Sequence, residues 1–252
     1  MIINKEYVQF RKLNKNFVAH LYTKKPFDFN SKKNDKSILL SQYAKIQDIL
    51  NYKCKKIVKP NQTHSNIVKI VDDNNINDNF DNVDGLVTNL KGVALVTSLA
   101  DCQGILLYDN KKRVIGNIHS GWKGTLNRIV SNAITLMQDV YNCAINDIEV
   151  YICPSILKCC FEVDEDVKNQ FVSSFSDILI NQYIYKGKVK DSKQKYFIDT
   201  IGINIKVLTN YGILEKNIHV SNICTKCNNK EFHSHRGDSI VDGRNIAFIV
   251  LK

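Results

Sequence analysis

The chain predicts an α/β (α+β) fold: one domain of mixed β-sheets layered with helices. Short apolar, β-branched runs outnumber the helical stripes and do not alternate strictly with them, which disfavours a doubly wound parallel sheet. Helical periodicity still recurs between some of those runs. And 252 residues with only three prolines offer no linker, repeat or low-complexity tract at which to divide the chain.

The elements follow in order. A first helix is expected over "SQYAKIQDILNY". The runs "NIVKIV", "GVALVTSL", "GILLYD", "RVIGNIH", "DIEVYI", "NIHVSNI" and "NIAFIVL" read as strands, because β-branched side chains suit a pleated surface. "VDDNNINDNFDNVDG" carries the Asn, Asp and Gly of a surface loop. In "TLNRIVSNAITLMQDVY" the residues Leu126, Ile129, Val130, Ala133, Ile134, Met137 and Val140 share one helical face. Asp164 is placed to N-cap a helix that buries Val167, Phe171 and Phe175. Ile201, Ile205 and Leu208 form a further stripe, stopped at Gly212.

The net charge of +10 invites a nucleic-acid reading. Only five of the 35 basic residues are arginine, however, and the lysines are scattered, so a solvated basic surface is expected and no nucleic-acid groove. Against that scarcity Arg236 and Arg244 stand out. No apolar run approaches the roughly 20 residues that span a bilayer, and "MIINKEYVQFRK" lacks a signal-peptide layout, so a cytoplasmic protein is expected. There, eight cysteines are kept mostly reduced. "KCCFE" holds adjacent cysteines, which are poor disulfide partners for each other. "CTKC" has the spacing of a metal or redox pair, but no second such pair accompanies it, and it is read as coincidence.

The six histidines carry more information. His64 lies where a polar loop enters a strand, His119 at the exit of an apolar run, and Cys102 at the entry of another. Strand ends hold side chains in fixed geometry with one side open. Imidazole and thiolate both suit Zn²⁺, and three protein ligands with a vacant fourth position mark a catalytic zinc. The competing reading is a buried cysteine and unrelated histidines, which spacing alone does not exclude.

"DGLVTN", "ADCQGILL", "HSGWKG", "CPSILKCCFEV", "CT" and "FHSHRGDSIVDGRNIAFIVL" occur in this order. Together they resemble the laccase-domain family, once called multicopper polyphenol oxidases and now regarded as purine nucleoside phosphorylases, from His20 to the C-terminus. The resemblance implies an α/β/β/α layering and zinc ligands at His64, Cys102 and His119. It also implies phosphorolysis of adenosine, inosine, guanosine and methylthioadenosine, with adenosine deamination; a monomer or small homo-oligomer is expected. The sequence departs from the family pattern at Ser120 and Lys123, at Cys153-Pro154, and at Arg236-Gly237-Asp238. Near the N-terminus the family's Thr-Arg is represented by "LYTKKPFDF", with Lys24 the nearest substitute.

Phosphorolysis needs a held phosphate, charge stabilisation at the sugar and a proton for the leaving purine. Arg236 is the candidate for phosphate or ribose, because its planar fork suits bidentate oxyanion contact; its competing role is an ion pair with Asp238. Asp101, beside the cysteine ligand, is a candidate acid–base group or a ligand-orienting carboxylate. Gln62 and Lys24 are candidate substrate contacts. Trp122 is read as core ahead of a purine stack. Copper replaces zinc in the alternative, a phenol oxidase, which wants more histidines than this chain has. A cysteine hydrolase using Cys102 and His119 is the other.

Overall fold

The structure, a computed structural model, describes residues 1–13, 16–238 and 243–252. Residues 239–242 of the C-terminal motif lie outside the described residues. The first sheet runs β1 (Ile2–Ile3), β2 (Tyr7–Gln9), β3 (Val18–Thr23), β15 (Asn245–Leu251), β7 (Val93–Leu99), β4 (Lys56–Val58). The second runs β14 (Ile218–Val220), β10 (Ile148–Ile152), β8 (Gln103–Asp109), β9 (Val114–Ser120), β6 (Gly85–Thr88), β5 (Val68–Ile70). A small outer sheet joins β11 (Glu162–Val163), β13 (Lys193–Ile198) and β12 (Ile184–Lys190). Both large sheets are mixed: β4–β7, β5–β6 and β10–β14 pair in parallel, while the other pairings within them are antiparallel.

The helices are α1 (Lys36–Ile49), α2 (Trp122–Leu126), α3 (Ile129–Tyr141), α4 (Glu165–Ser174) and α5 (Thr200–Tyr211). Every residue of β8, β9 and β15 is buried, and the strands read as continuous apolar runs because both of their faces are covered. Their side chains divide by strand alternation. Ala247, Ile249, Leu106, Tyr108 and Ile115 fill the space between the sheets. Ile246, Phe248 and Val250 turn outward, toward Ile46 of α1. Ile105, Leu107, Val114 and Ile118 turn the other way, under Ile134 and Met137 of α3 and Val207 of α5. Three apolar seams therefore separate four layers, the expected α/β/β/α arrangement. Among the described residues no helix is long and apolar enough to cross a membrane.

Each run read as a strand is one. The helix expected over 125–141 is two: Arg128 adopts the left-handed conformation (φ 55°) and breaks α2 from α3. Gly212 stops α5 with φ 111°, a geometry that glycine alone adopts without strain. Asp164 occupies the N-cap position of α4, but its carboxylate pairs with Lys195 and caps no backbone N–H.

A polar side chain crosses the apolar seam between the sheets. Asn117 of β9, fully buried, accepts a hydrogen bond from the Thr97 hydroxyl at 2.7 Å. Its amide donates to the carbonyls of Leu95 and Ala247 at 2.9 and 2.8 Å, both in the opposite sheet. These bonds fix the register of one sheet against the other, which apolar packing alone specifies weakly. Asn117→Ala is expected to cost about 2–3 kcal/mol, because the Thr97 hydroxyl loses its partner in a dry seam. Urea unfolding measures this; a loss below about 1 kcal/mol would show that packing suffices.

Candidate functional site

The layers bring three chain segments together at one end of the second sheet. His64 sits in the connection from β4 to β5, Cys102 in the tight turn from β7 to β8, and His119 near the end of β9. Their donor atoms all lie within 4.8 Å of one another. Cys102 Sγ is 3.8 Å from His64 Nε2, and the two imidazoles meet edge to face with centroids 4.8 Å apart. His64 (φ 62°) and Asp101 (φ 81°) both take the left-handed conformation, which turns the backbone sharply enough to aim the side chains inward. Gly121 closes the arrangement: a Cβ there would lie 2.8 Å from the His64 ring and 3.2 Å from the Cys102 sulfur.

Asp84 organises this cluster. Its Oδ1 accepts from His119 Nδ1 at 2.7 Å and from the His64 backbone N–H at 3.0 Å. Its Oδ2 accepts from the Ser65 N–H at 2.7 Å, the Ser65 hydroxyl at 2.6 Å and the Thr63 N–H at 3.2 Å. The carboxylate is fully buried. Burial alone would raise its pKa, but the hydrogen bonds from His119 and Ser65 and the charge on His119 hold it far below the usual carboxylate range. Because Nδ1 is engaged by Asp84, Nε2 is the His119 nitrogen left to ligate once its proton is given up.

Cys102 and His119 perturb each other in the same sense. Burial pushes the Cys102 thiol up, yet the charge and hydrogen bonds of His119 and His64 bring it down to about 6. Burial pushes His119 down, while Cys102 and Asp84 lift it to about 9. The pair is poised as thiolate and imidazolium, and the thiolate is the form that binds metals. His64, Cys102 and His119 could hold a metal ion.

The cluster forms part of the wall of a cavity of ≈ 1180 Å³. Lys32, Lys59, Arg236 and Arg244 line it as well, and burial followed by the charge of Arg244 lowers the Lys59 pKa. Trp122 packs on the core, as expected, and also lines the cavity. His235 lines the cavity, whereas His233 lies off it, with Nε2 2.9 Å from the Phe27 carbonyl oxygen.

The remaining expected residues are placed as follows. Arg236 lines the cavity, its guanidinium 5.5 Å from the Phe161 ring centroid and donating to the Glu162 carbonyl at 2.8 Å. Asp238 pairs with Lys25 in place of Arg236. Asp101 also lines the cavity, but both carboxylate oxygens are engaged: Oδ1 by the Thr225 hydroxyl and Oδ2 by the Arg236 N–H, each at 2.6 Å. Gln62 reaches the cavity wall with its amide tied at both ends to Ser98, by a bond to the carbonyl at 2.9 Å and from the N–H at 2.7 Å. Lys24 lies elsewhere. It does not line the cavity; its buried ammonium donates to the Asn4 carbonyl at 3.0 Å and pairs with Glu231.

Two features lay beyond the sequence reading. Asp84 had a signal in "VDG", but that tripeptide reads locally as a turn, and nothing in it foretells five donors arriving from other segments. "CTKC" is not isolated: Cys224 and Cys227 meet Cys159 and Cys160, so the adjacent pair supplies the missing half.

Known proteins place this architecture. The family described as multi-copper polyphenol oxidoreductase laccase matches residues 19–252. A purine nucleoside phosphorylase of Borreliella burgdorferi is 33% identical over 221 residues, 87% of this chain and 86% of that one. An adenosine deaminase, RL5, from an unknown prokaryotic organism is 30% identical over 203 residues, 78% of this chain and 75% of that one. The crystal structure of the Bacillus licheniformis hypothetical protein YfiH superposes with a TM-score of 0.86 at 25% identity, covering 99% of this chain and 97% of that one. On a match that spans nearly the whole sequence, the chain belongs to the multi-copper polyphenol oxidoreductase laccase family.

Proposed function

We propose that this chain is a zinc-dependent purine nucleoside phosphorylase with accompanying adenosine deaminase activity. Adenosine, inosine, guanosine and methylthioadenosine are the proposed nucleosides and phosphate the co-substrate. The observation that carries the reading is the convergence of His64, Cys102 and His119 on the wall of a cavity that also presents four cationic side chains. The names of the two relatives support the substrate class. The proposed setting is cytoplasmic, with the chain working as a monomer or small homo-oligomer.

The donor set fits zinc. Two imidazoles and one thiolate are borderline-soft donors within coordination reach, and a carboxylate already orients one imidazole from behind. A bound zinc would supply Lewis acidity, polarising a substrate oxygen or lowering the pKa of a water.

In phosphorolysis a phosphate oxygen forms a bond to the ribose C1′ while the bond from C1′ to the purine nitrogen breaks, and the purine departs with the electron pair. Arg236 is assigned to the phosphate, its backbone held by Asp101 at the cavity wall. Asp101 thus becomes a positioning residue, because both of its oxygens are engaged, and Gln62 holds the His64 loop against β7. Trp122 is assigned to the purine face.

A second reading, a cysteine hydrolase with Cys102 as nucleophile and His119 as base, is favoured by the lowered Cys102 thiol. It needs both groups free of metal, so chelation separates the two. The copper phenol oxidase reading is weaker. Among the six histidines only His64 and His119 join the donor set, and His20 is buried and bonded to the Phe10 N–H at 2.8 Å.

Inosine incubated with the purified protein is expected to release hypoxanthine and ribose 1-phosphate only when phosphate is present. Turnover should stop on chelation and return with zinc. Base release that survives chelation, or oxygen uptake with phenols, would overturn the reading. Arg236→Lys should raise the KM for phosphate about 10- to 100-fold while leaving metal content unchanged, as expected for losing one charge-assisted bidentate contact of roughly 1.5–3 kcal/mol. Asp84→Asn removes the charge behind His119 and should weaken zinc binding about 10- to 100-fold, read by competition against a chelator of known affinity.

A further inference from the structure

A second sulfur-rich cluster lies in the molecule, outside the donor set of His64, Cys102 and His119. Cys159 and Cys160 follow one another in the loop after β10; Cys224 and Cys227 lie in the loop after β14. Their four sulfurs all lie within 4.8 Å of one another. Cys159 Sγ and Cys160 Sγ are 3.7 Å apart, Cys159 Sγ and Cys227 Sγ 3.7 Å, and Cys160 Sγ and Cys227 Sγ 3.4 Å. A disulfide would bring two sulfurs to about 2.05 Å. Four thiolates around one tetrahedral ion, each about 2.3 Å from it, stand about 3.8 Å apart. The observed spacing matches the second arrangement. An iron–sulfur cluster, whose thiolates reach separate irons, needs a wider opening.

We infer that Cys159, Cys160, Cys224 and Cys227 form a closed tetrathiolate site for one structural zinc ion, distinct from the site in the cavity. The donor set is complete with four protein sulfurs and leaves no position for substrate, which separates it from the three-donor site. Binding exchanges protons for metal: four thiols release four protons to solvent as four sulfur–zinc bonds form, leaving a net charge of −2. The backbone N–H groups of Leu157 and Cys227 favour the charged form of the Cys224 sulfur, the effect that outer donors have on a ligating thiolate.

The site ties the two loops that hold Arg236. Ser155 and Cys224 are bridged in parallel, with the Thr225 N–H donating to the Ser155 carbonyl at 3.1 Å and the Ser155 N–H to the Ile223 carbonyl at 3.2 Å. Farther along the same loops, the Arg236 guanidinium donates to the Glu162 carbonyl. The sulfurs thus sit at the root of a strap that carries Phe161 and Arg236 to the cavity.

Metal analysis of full-length protein, purified without a histidine tag, tests the inference. A Cys224→Ser/Cys227→Ser variant should lose one zinc equivalent per chain relative to the unaltered protein. A His64→Ala/His119→Ala variant should retain one, whose replacement by Co²⁺ gives the charge-transfer absorption of an all-thiolate tetrahedral site. Co²⁺ titration of the unaltered chain gives the same signature without relying on the folding of the cysteine variant. Loss of all metal from the histidine variant would overturn the inference and leave the cavity site standing; loss of none would overturn the cavity site instead. Thiol titration of chelated, denatured protein should find all eight cysteines; a count two short would show a disulfide in place of the metal.

Discussion

The Asp84 carboxylate is the constraint on which the candidate site depends. It arrives at the start of β6, fully buried, and gathers donors from two other segments: the loop that carries His64 and the strand that carries His119. An anion sealed from water is costly unless its lone pairs are filled, and here five donors fill them. The same satisfaction fixes the His119 tautomer and the left-handed turn at His64. Protein stability and site geometry are thereby made one requirement.

The layered scaffold explains why so few residues suffice. β8 and β9 are buried on both faces, so their ends are rigid, and Cys102 and His119 sit at those ends. Below them, Gln103, Ser120, Thr125, Thr200 and Asn204 form a buried hydrogen-bonded group linking both strands to α2 and α5. A cavity wall built on strands and backed by such a network holds Cys102 and His119 in place.

Much of the fold was legible because its signals are local. β-branched runs bounded by polar residues located the central strands, and the stripe from Ile129 to Met137 located α3. The break at Arg128 was not legible, since the residue type gives no hint of a left-handed backbone. Nor was the β12–β13 hairpin, whose polar "KGKVK" rests on the surface and lacks an apolar pattern. At the site, His64, Cys102 and His119 were legible as residues at strand ends, and their proximity followed only from the resemblance. Sequence position could not separate Gln62 from Lys24: Gln62 reaches the cavity wall with its amide held by Ser98, whereas Lys24 lies off it, bonded to Asn4 and Glu231. The four cysteines show a further limit, because two pairs some 65 residues apart share a location only once β10 and β14 pair in parallel.

The hydrogen bond between Asp101 and Thr225 has a mechanical meaning. Asp101 precedes Cys102, Thr225 follows Cys224, and 2.6 Å separates their side-chain oxygens. A single proton thus couples the backbone of one sulfur-bearing turn to that of the other. The turn on the cavity wall is thereby braced against the loop that carries the outer thiols, so two sulfur-bearing segments far apart in the chain share one anchor.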